Sequence, residues 1–264
     1  MENKSVLITG GTCGIGLELA KLFAKDNYQV LIAARSESEL AETKSILEKE
    51  GAKEVITIPC DLFDFNAANS LYQTVKNKGI NIGVLVNNAG QGQYGLFADS
   101  NLDRLMDIIQ LNICSLVTLT HYFLQDFIQR GSGRILNLSS VAAKAPGPWQ
   151  AVYHATKAFV HSFTEAVRSE VKDKGITVTA LLPGATHTDF FNKAEMMESK
   201  ITQDMSKLAD PADVAKDGYK ALMKGDDMVI SGIENKIQVA VGNLTPDENL
   251  ADATRDKQSP ATEK

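Results

Sequence analysis

Cysteine is scarce in this sequence: Cys13, Cys60 and Cys114 are the only three in 264 residues. They are far apart, odd in number and without C-x-x-C spacing, which excludes a disulfide framework and a zinc ribbon. Four histidines and no completing carboxylate pattern speak against a metal centre as well. No run of Lys and Arg occurs, and the formal net charge is -6, so a nucleic-acid partner is not expected. No apolar run reaches the ~18 residues that a membrane span needs. The first residues, "MENKSVLITGG", open straight into a strand pattern and not into a basic region followed by an apolar one. The expectation is therefore a soluble, cytoplasmic protein with no resident metal and no membrane or nucleic-acid partner. Its composition, 44% hydrophobic and 23% charged, suits a globular chain with a sizeable core.

Short β-rich runs alternate with longer helical ones. "KSVLITG", "YQVLIAA", "EVITIPC", "IGVLVNNAG", "GRILNLSS", "ITVTALLPG" and "DMVISG" read as seven strands. Helices are expected between them, among them 36–51, 64–77, 102–129 and 151–174, and one opened by Pro211. Ser36 and Glu39 form a capping box, and Gly51 reads as a helix stop. "VLVN" and "VTALL" are apolar without alternation, the mark of strands buried on both faces. The fold class is α/β: one doubly wound parallel sheet of about seven strands with helices on both faces, spanning residues 1–245. From Pro246 to Lys264 the chain has no aromatic and is rich in charge, Ala and Thr, so 246–264 reads as a flexible polar tail.

After the first strand comes "TGGTCGIG". Gly10, Gly14 and Gly16 suit a tight turn that brings backbone N–H groups against a pyrophosphate at a helix N-terminus. The spacing is not G-x-G-x-x-G, and a plain structural turn would need the same glycines. The second strand ends in Ala33-Ala34-Arg35-Ser36, without the carboxylate that would bind a ribose 2′-hydroxyl. Arg35 offers a fork suited to a 2′-phosphate, with Ser36 beside it, which favours NADP(H) over NAD(H); a solvated loop arginine is the alternative. Asp61 stands where it would accept from an adenine amino group or serve the turn.

The stretch "YHATK" places Tyr153 and Lys157 four apart, on one helix face. If that face lines a cleft, the ammonium is expected to lower the phenol's pKa from its usual ~10 toward working pH. On an exposed helix the same pair would mean nothing. The motifs together resemble the short-chain dehydrogenase/reductase (SDR) family, a Rossmann-type fold: "TGGTCGIG" fits TGxxxGxG, "NNAG" at 87–90 its fourth-strand motif, "YHATK" its YxxxK, and "PGATHT" its PGxxxT. They arrive in the family's order over residues 5 to about 190.

The resemblance implies an oxidoreductase that transfers hydride between NADP(H) and a carbonyl or secondary alcohol. It implies Ser140, Tyr153, Lys157 and Asn112 as the catalytic set. Lys157 would also hold the nicotinamide ribose, and Asn112 a water near that lysine. Around the cofactor it implies Gly10, Thr12, Cys13, Gly14, Ile15 and Gly16; Arg35, Ser36, Asp61 and Leu62; Asn88, Ala89 and Gly90; and Pro183, Gly184, Thr186 and Thr188. Asn87 would line the cofactor side or tie strands together. Because strand side chains alternate, only one of Ser139 and Ser140 faces the substrate, and the family spacing selects Ser140. Ser140, Ala142, Trp149, Tyr153, Phe190 and Phe191 are the expected substrate contacts. The segment 187–208 reads as an apolar lid for a bulky carbonyl compound, or as a helix packed into the core. The family commonly assembles as homodimers or homotetramers through its two long helices. A related epimerase or dehydratase, and a non-catalytic dinucleotide-binding sensor or scaffold, are the competing readings.

Overall fold

The computed structural model describes residues 4–261. Seven strands form one parallel sheet: β1 (Ser5–Thr9), β2 (Gln29–Ala34), β3 (Glu54–Pro59), β4 (Val84–Asn87), β5 (Gly133–Leu138), β6 (Ile176–Leu182) and β7 (Met228–Ile230). The helices are α1 (Gly14–Lys25), α2 (Glu37–Lys49), α3 (Ala67–Asn77), α4 (Leu102–Ile109), α5 (Ser115–Arg130), α6 (Ala151–Val171), α7 (Phe190–Lys193), α8 (Pro211–Lys224), α9 (Ile233–Gly242) and α10 (Asp247–Gln258).

Strand order is β3-β2-β1-β4-β5-β6-β7. The chain winds outward from β1 to β3, then returns past β1 to lay down β4. The switch point between β1 and β4 opens a crevice at the strands' carboxyl ends, where open α/β sheets bind their ligands.

Apolar strands without alternation are buried twice over. In β1, Val6 and Ile8 join Leu19 and Phe23 of α1 and Val214 and Leu222 of α8 on one face. Leu7, between them, joins Leu71 of α3, Phe123 and Phe127 of α5 and Val171 of α6 on the other. All are essentially inaccessible, and each such side chain contributes about 1.5–3 kcal/mol by leaving water.

Local signals fix the helix ends. Ser36 Oγ accepts from Glu39 N at 3.3 Å to start α2, and Asp210 accepts from Ala212 N at 2.7 Å ahead of Pro211 to start α8. Gly131 and Gly225 end α5 and α8 in the left-handed region. The expected single helix over 102–129 is instead α4 and α5 joined by a π-helical turn, Gln110–Cys114, which carries Asn112. Such π turns within helices occur frequently at functional sites.

The polar run from Pro246 departs most from expectation. Over 247–258 it is helix α10, with Gln258 and Ser259 buried, and Ser199 and Pro260 form a β-bridge beyond it. It docks through hydrogen bonds rather than apolar side chains, which is why its composition reads as loose chain. Residues 262–264 of the expected tail lie outside the described residues. Among the described residues no helix is long and apolar enough to cross a membrane.

Candidate active site

The crevice at the switch point is a cleft of about 560 Å³. One end is built by the glycine turn. Gly10 and Gly14 adopt φ of +66° and +55°, the left-handed region that side chains disfavour. A Cβ on Gly16 would stand 2.4 Å from both Gly10 O and Asn88 Nδ2, so only glycine lets α1 start this close to β4.

Asn88 sews the turn to the neighbouring strand. Its Nδ2 donates to Thr9 O at 3.0 Å and to Gly10 O at 2.8 Å. Thr9 Oγ1 in turn accepts from Asn88 N and Ala89 N. Cys13 precedes α1 and offers its first turn no side-chain cap. The free N–H groups and the positive helix end therefore face a glycine-walled cradle, which fits a pyrophosphate.

All of the expected cofactor residues line this cleft: Thr12, Cys13 and Ile15 with the glycines, Arg35 and Ser36 at the end of β2, Asp61 and Leu62 after β3, Asn88, Ala89 and Gly90 after β4, and Pro183, Gly184, Thr186 and Thr188 after β6. Arg35 lies over the Phe63 ring, 5.1 Å from its centroid, with Arg104 at 5.4 Å from the same ring. Asp61 Oδ1 accepts from Phe63 N at 3.2 Å, which shapes the turn that presents that ring. Glu39 completes only half of its capping box. Its carboxylate accepts instead from Thr12 Oγ1 at 3.0 Å, bridging α2 to the glycine turn.

Asn87 does not face the cleft. Its Nδ2 donates to Asn137 Oδ1 at 2.9 Å and Thr120 Oγ1 at 3.0 Å, and Asn137 Nδ2 donates to Thr164 Oγ1 at 2.9 Å. This buried chain ties β4 and β5 to α5 and α6, the strand-tying alternative of the two expected for it.

Ser140, Tyr153 and Lys157 meet in the same cleft. Strand alternation separates the serines as expected. Ser139 Oγ turns away and donates to Lys157 O at 2.9 Å, while Ser140 lines the cleft with Tyr153, its Oγ donating to Pro183 O at 3.3 Å and accepting from Ala142 N at 3.1 Å. Lys157 is buried behind them. Its Nζ donates to Leu138 O at 2.8 Å and lies 5.7 Å from the Tyr153 ring centroid.

Asn112 is pinned by its amide. Its Oδ1 accepts from Gln91 N at 3.0 Å, and its Nδ2 donates to Gln91 O at 2.9 Å and Thr156 Oγ1 at 3.0 Å. It sits behind the cleft wall rather than in it. Gly90 leaves a gap open between Asn112 Oδ1 and Lys157 Nζ: a Cβ there would stand 3.3 Å from each.

Burial, not pairing, governs the two titrating groups. Removal from water pushes the Tyr153 phenol up to about 12, and the nearby Ser140 hydroxyl only partly offsets this. The same desolvation brings Lys157 down to about 8. The expected lowering of the phenol by the ammonium is thus not what the folded chain alone produces. The lysine's nearest partner is a backbone carbonyl, and its charge stands beside the ring rather than at the phenol oxygen.

Of the expected substrate contacts, Ala142 and Phe190 line the cleft, and Phe190 packs on Tyr153 with centroids 5.0 Å apart. Phe191 also touches the cleft but belongs, with Met196, to a small buried cluster, so 187–208 is part wall and part core. Trp149 is not in the lining. With φ of +69° it turns onto Tyr94, stacking at 5.5 Å, and braces the loop after β4.

Sequence reasoning passed over several lining groups. Gln150 is buried with its Nε2 unpartnered, and Thr254, Lys257 and Gln258 come from α10. Gln150 stands three residues before Tyr153, the one signal that would have pointed to it.

A doubly wound sheet, a glycine-walled cradle suited to a pyrophosphate and a Ser–Tyr–Lys cluster in one cleft point to a dinucleotide-dependent enzyme. The profile of the short chain dehydrogenase family matches residues 4–199, and the chain belongs to that family. It is thereby an oxidoreductase of carbonyl or alcohol groups, and its fold implies a nicotinamide dinucleotide cofactor.

Among its relatives is a ketoacyl reductase, HetN, of Nostoc sp., 30% identical over 93% of this chain and 86% of that one. A very-long-chain 3-oxoacyl-CoA reductase of Rattus norvegicus is 34% identical over 67% of this chain, a match that spans 57% of the rat protein's length. Among solved structures, a short-chain dehydrogenase from Sphingobium yanoikuyae in complex with NADPH superposes with a TM-score of 0.80. It is 27% identical, with 91% of this chain and 94% of that one covered.

Proposed function

We propose that the protein is an NADP(H)-dependent reductase of ketones or aldehydes, and that Ser140, Tyr153, Lys157 and Asn112 carry the reaction. The observation that carries this reading is the meeting of Ser140 and Tyr153 in the wall of one cleft with Lys157 buried beside the Tyr153 ring. When bound, the reduced nicotinamide supplies the hydride.

The chain's own residues do the rest. The Ser140 hydroxyl holds the substrate oxygen, and Tyr153, fully protonated at neutral pH, gives that oxygen its proton. Lys157 keeps a positive charge beside the phenolate that forms. Asn112 fixes the Gln91 backbone and, across the gap at Gly90, faces Lys157 Nζ, a place for the water that returns the proton. The glycine turn and the uncapped start of α1 would hold the pyrophosphate, and Arg35 the 2′-phosphate.

The NADPH named with the Sphingobium yanoikuyae structure supports the cofactor choice. The apolar lining by Val141, Ala142, Phe190 and Met196 suits a ketone on an apolar chain, and the names of the Nostoc and rat relatives describe such substrates. Exposed Leu102, Met106 and Phe159 on α4 and α6 support assembly into a homodimer or homotetramer through those helices. A non-catalytic role is not favoured, since Ser140, Tyr153 and Lys157 all line the one cleft.

The test is Tyr153→Phe, assayed on a panel of ketones and aldehydes at 340 nm. Turnover is expected to fall at least ~100-fold, the lower range for a lost proton donor, while NADPH still binds. Turnover that survives the substitution refutes the mechanism.

A further inference from the structure

Helix α10 buries none of its apolar residues fully: Leu250 and Ala251 are half-buried and Ala253 is exposed. Of its 12 residues only Gln258 is buried. Hydrogen bonds gather at its C-terminal end instead. Gln258 Nε2 meets His154 Nε2 at 2.9 Å, and Tyr94 Oη donates to Gln258 O at 2.7 Å. Lys200 N donates to Ser259 O at 3.1 Å, and Ala261 N to Glu198 O at 2.9 Å. The other end follows Leu244, which is 89% exposed. A helix held this way has a hinge at its start and a polar latch at its finish, and segments with few buried apolar contacts open at low free energy.

The latch has a defined polarity. His154 Nδ1 lies 2.8 Å from Ala145 O, and a carbonyl only accepts, so Nδ1 carries the proton. Burial lowers the pKa of this histidine, so the ring is neutral at pH 7 and its Nε2 accepts. Gln258 must therefore turn its amide nitrogen to the ring. That leaves its Oε1 buried without a partner, which weighs against the docked position.

The His154 ring stands 6.1 Å, centroid to centroid, from that of Tyr153, so the latch lies beside the chemical end of the cleft. Thr254, Lys257 and Gln258 line the same cleft. With α10 docked the cleft holds about 560 Å³. Pockets for a single small ligand run ~300–1,000 Å³, and this one must take a dinucleotide and a substrate together. A dinucleotide and a long-chain substrate together would crowd a cleft of that size.

We infer that Gln258 is a specificity-determining residue: through His154 it latches α10 beside the substrate end, and release of the latch admits carbonyl substrates on long apolar chains. The inference rests on the reductase reading given above.

The test uses the full chain with NADPH, a short aliphatic diketone and a long-chain 3-oxoacyl thioester. For Gln258→Ala, KM for the thioester is expected to fall about fivefold, the ratio that one net hydrogen bond sets. KM for the diketone and the NADPH dissociation constant should move less than about twofold, since neither calls for the helix to open. Amide hydrogen exchange over 250–258 should quicken by a similar factor. Tyr94→Phe removes the second bond of the latch without touching α10 and should shift both readouts the same way. Equal changes for the two substrates, or unaltered exchange in α10, overturn the inference while wild-type turnover leaves the reductase reading standing. A wild type that reduces no carbonyl compound overturns both.

Discussion

Replacing Lys157 by Met should abolish turnover without costing stability. The side chain is 4% exposed, so its charge sits in a poorly solvated place. Burial brings it from an ordinary ~10.4 down to about 8. A shift of that size makes the charged form in the folded state roughly 3 kcal/mol less favourable than in the unfolded chain at pH 7. Met has similar length and no charge, so it removes that penalty. It also removes the hydrogen bond to Leu138 O, which costs about 1–3 kcal/mol if the carbonyl finds no other partner. The balance lies between no change and ~2 kcal/mol of added stability at pH 7.

The sign of the pH dependence follows from linkage. Between pH ~8 and ~10.4 the unfolded chain holds this proton and the folded chain has released it, so wild-type stability rises with pH across that window. The contribution approaches ~1.4 kcal/mol per pH unit at most. The Met variant lacks it. Tyr153 acts oppositely: its folded pKa is raised to about 12, so its contribution is lost as pH climbs past its ordinary value. It is common to both proteins, and the wild-type-minus-variant difference cancels it. Urea unfolding at pH 7.0, 8.5 and 9.5 measures that difference. A variant more than about 3 kcal/mol less stable at pH 7, or one with the wild-type pH slope, would falsify the claim that burial dominates at Lys157.

Two further substitutions address the cofactor end. Arg35→Ala should raise KM for NADPH at least ~10-fold and leave that for NADH nearly unchanged, since a charge-assisted phosphate contact contributes about 1.5–3 kcal/mol; equal effects on both cofactors would remove Arg35 from the phosphate site. Gly16→Ala places a methyl 2.4 Å from Gly10 O and Asn88 Nδ2. It should cost about 1–3 kcal/mol in thermal unfolding and abolish dinucleotide binding measured by fluorescence. Wild-type affinity in a folded variant would mean that the close start of α1 is not what shapes the cradle.

How much of this was written plainly in the residues depends on the kind of contact. Seven strands were readable because a doubly covered parallel strand must be apolar throughout, and β1 is, with Val6 and Ile8 on one side and Leu7 on the other. The glycine turn was readable because Gly10 and Gly14 take a backbone conformation that few other residues tolerate. Ser140, Tyr153 and Lys157 were readable by spacing, since strand alternation and one helical turn fix which way each points.

What stayed hidden was of another sort. Trp149 looked like a pocket wall, yet a positive φ turns it onto Tyr94, and nothing in a single-residue pattern announces that. The π turn at Asn112 arises from tertiary demand, the amide spanning Gln91 and Thr156 at once. Helix α10 is held by Gln258, a polar side chain whose partner stands over a hundred positions away in sequence. Hydrophobic patterning registers burial by area and is blind to a helix docked by hydrogen bonds. The phenol's pKa was misjudged for a related reason: a charge four residues off on a helix is visible in sequence, while the loss of water around both groups is not. Segments and groups governed by desolvation and directional bonding are thus the ones that a single-residue pattern does not announce, and here Gln258, His154, Tyr153 and Lys157 all stand in the wall of one cleft.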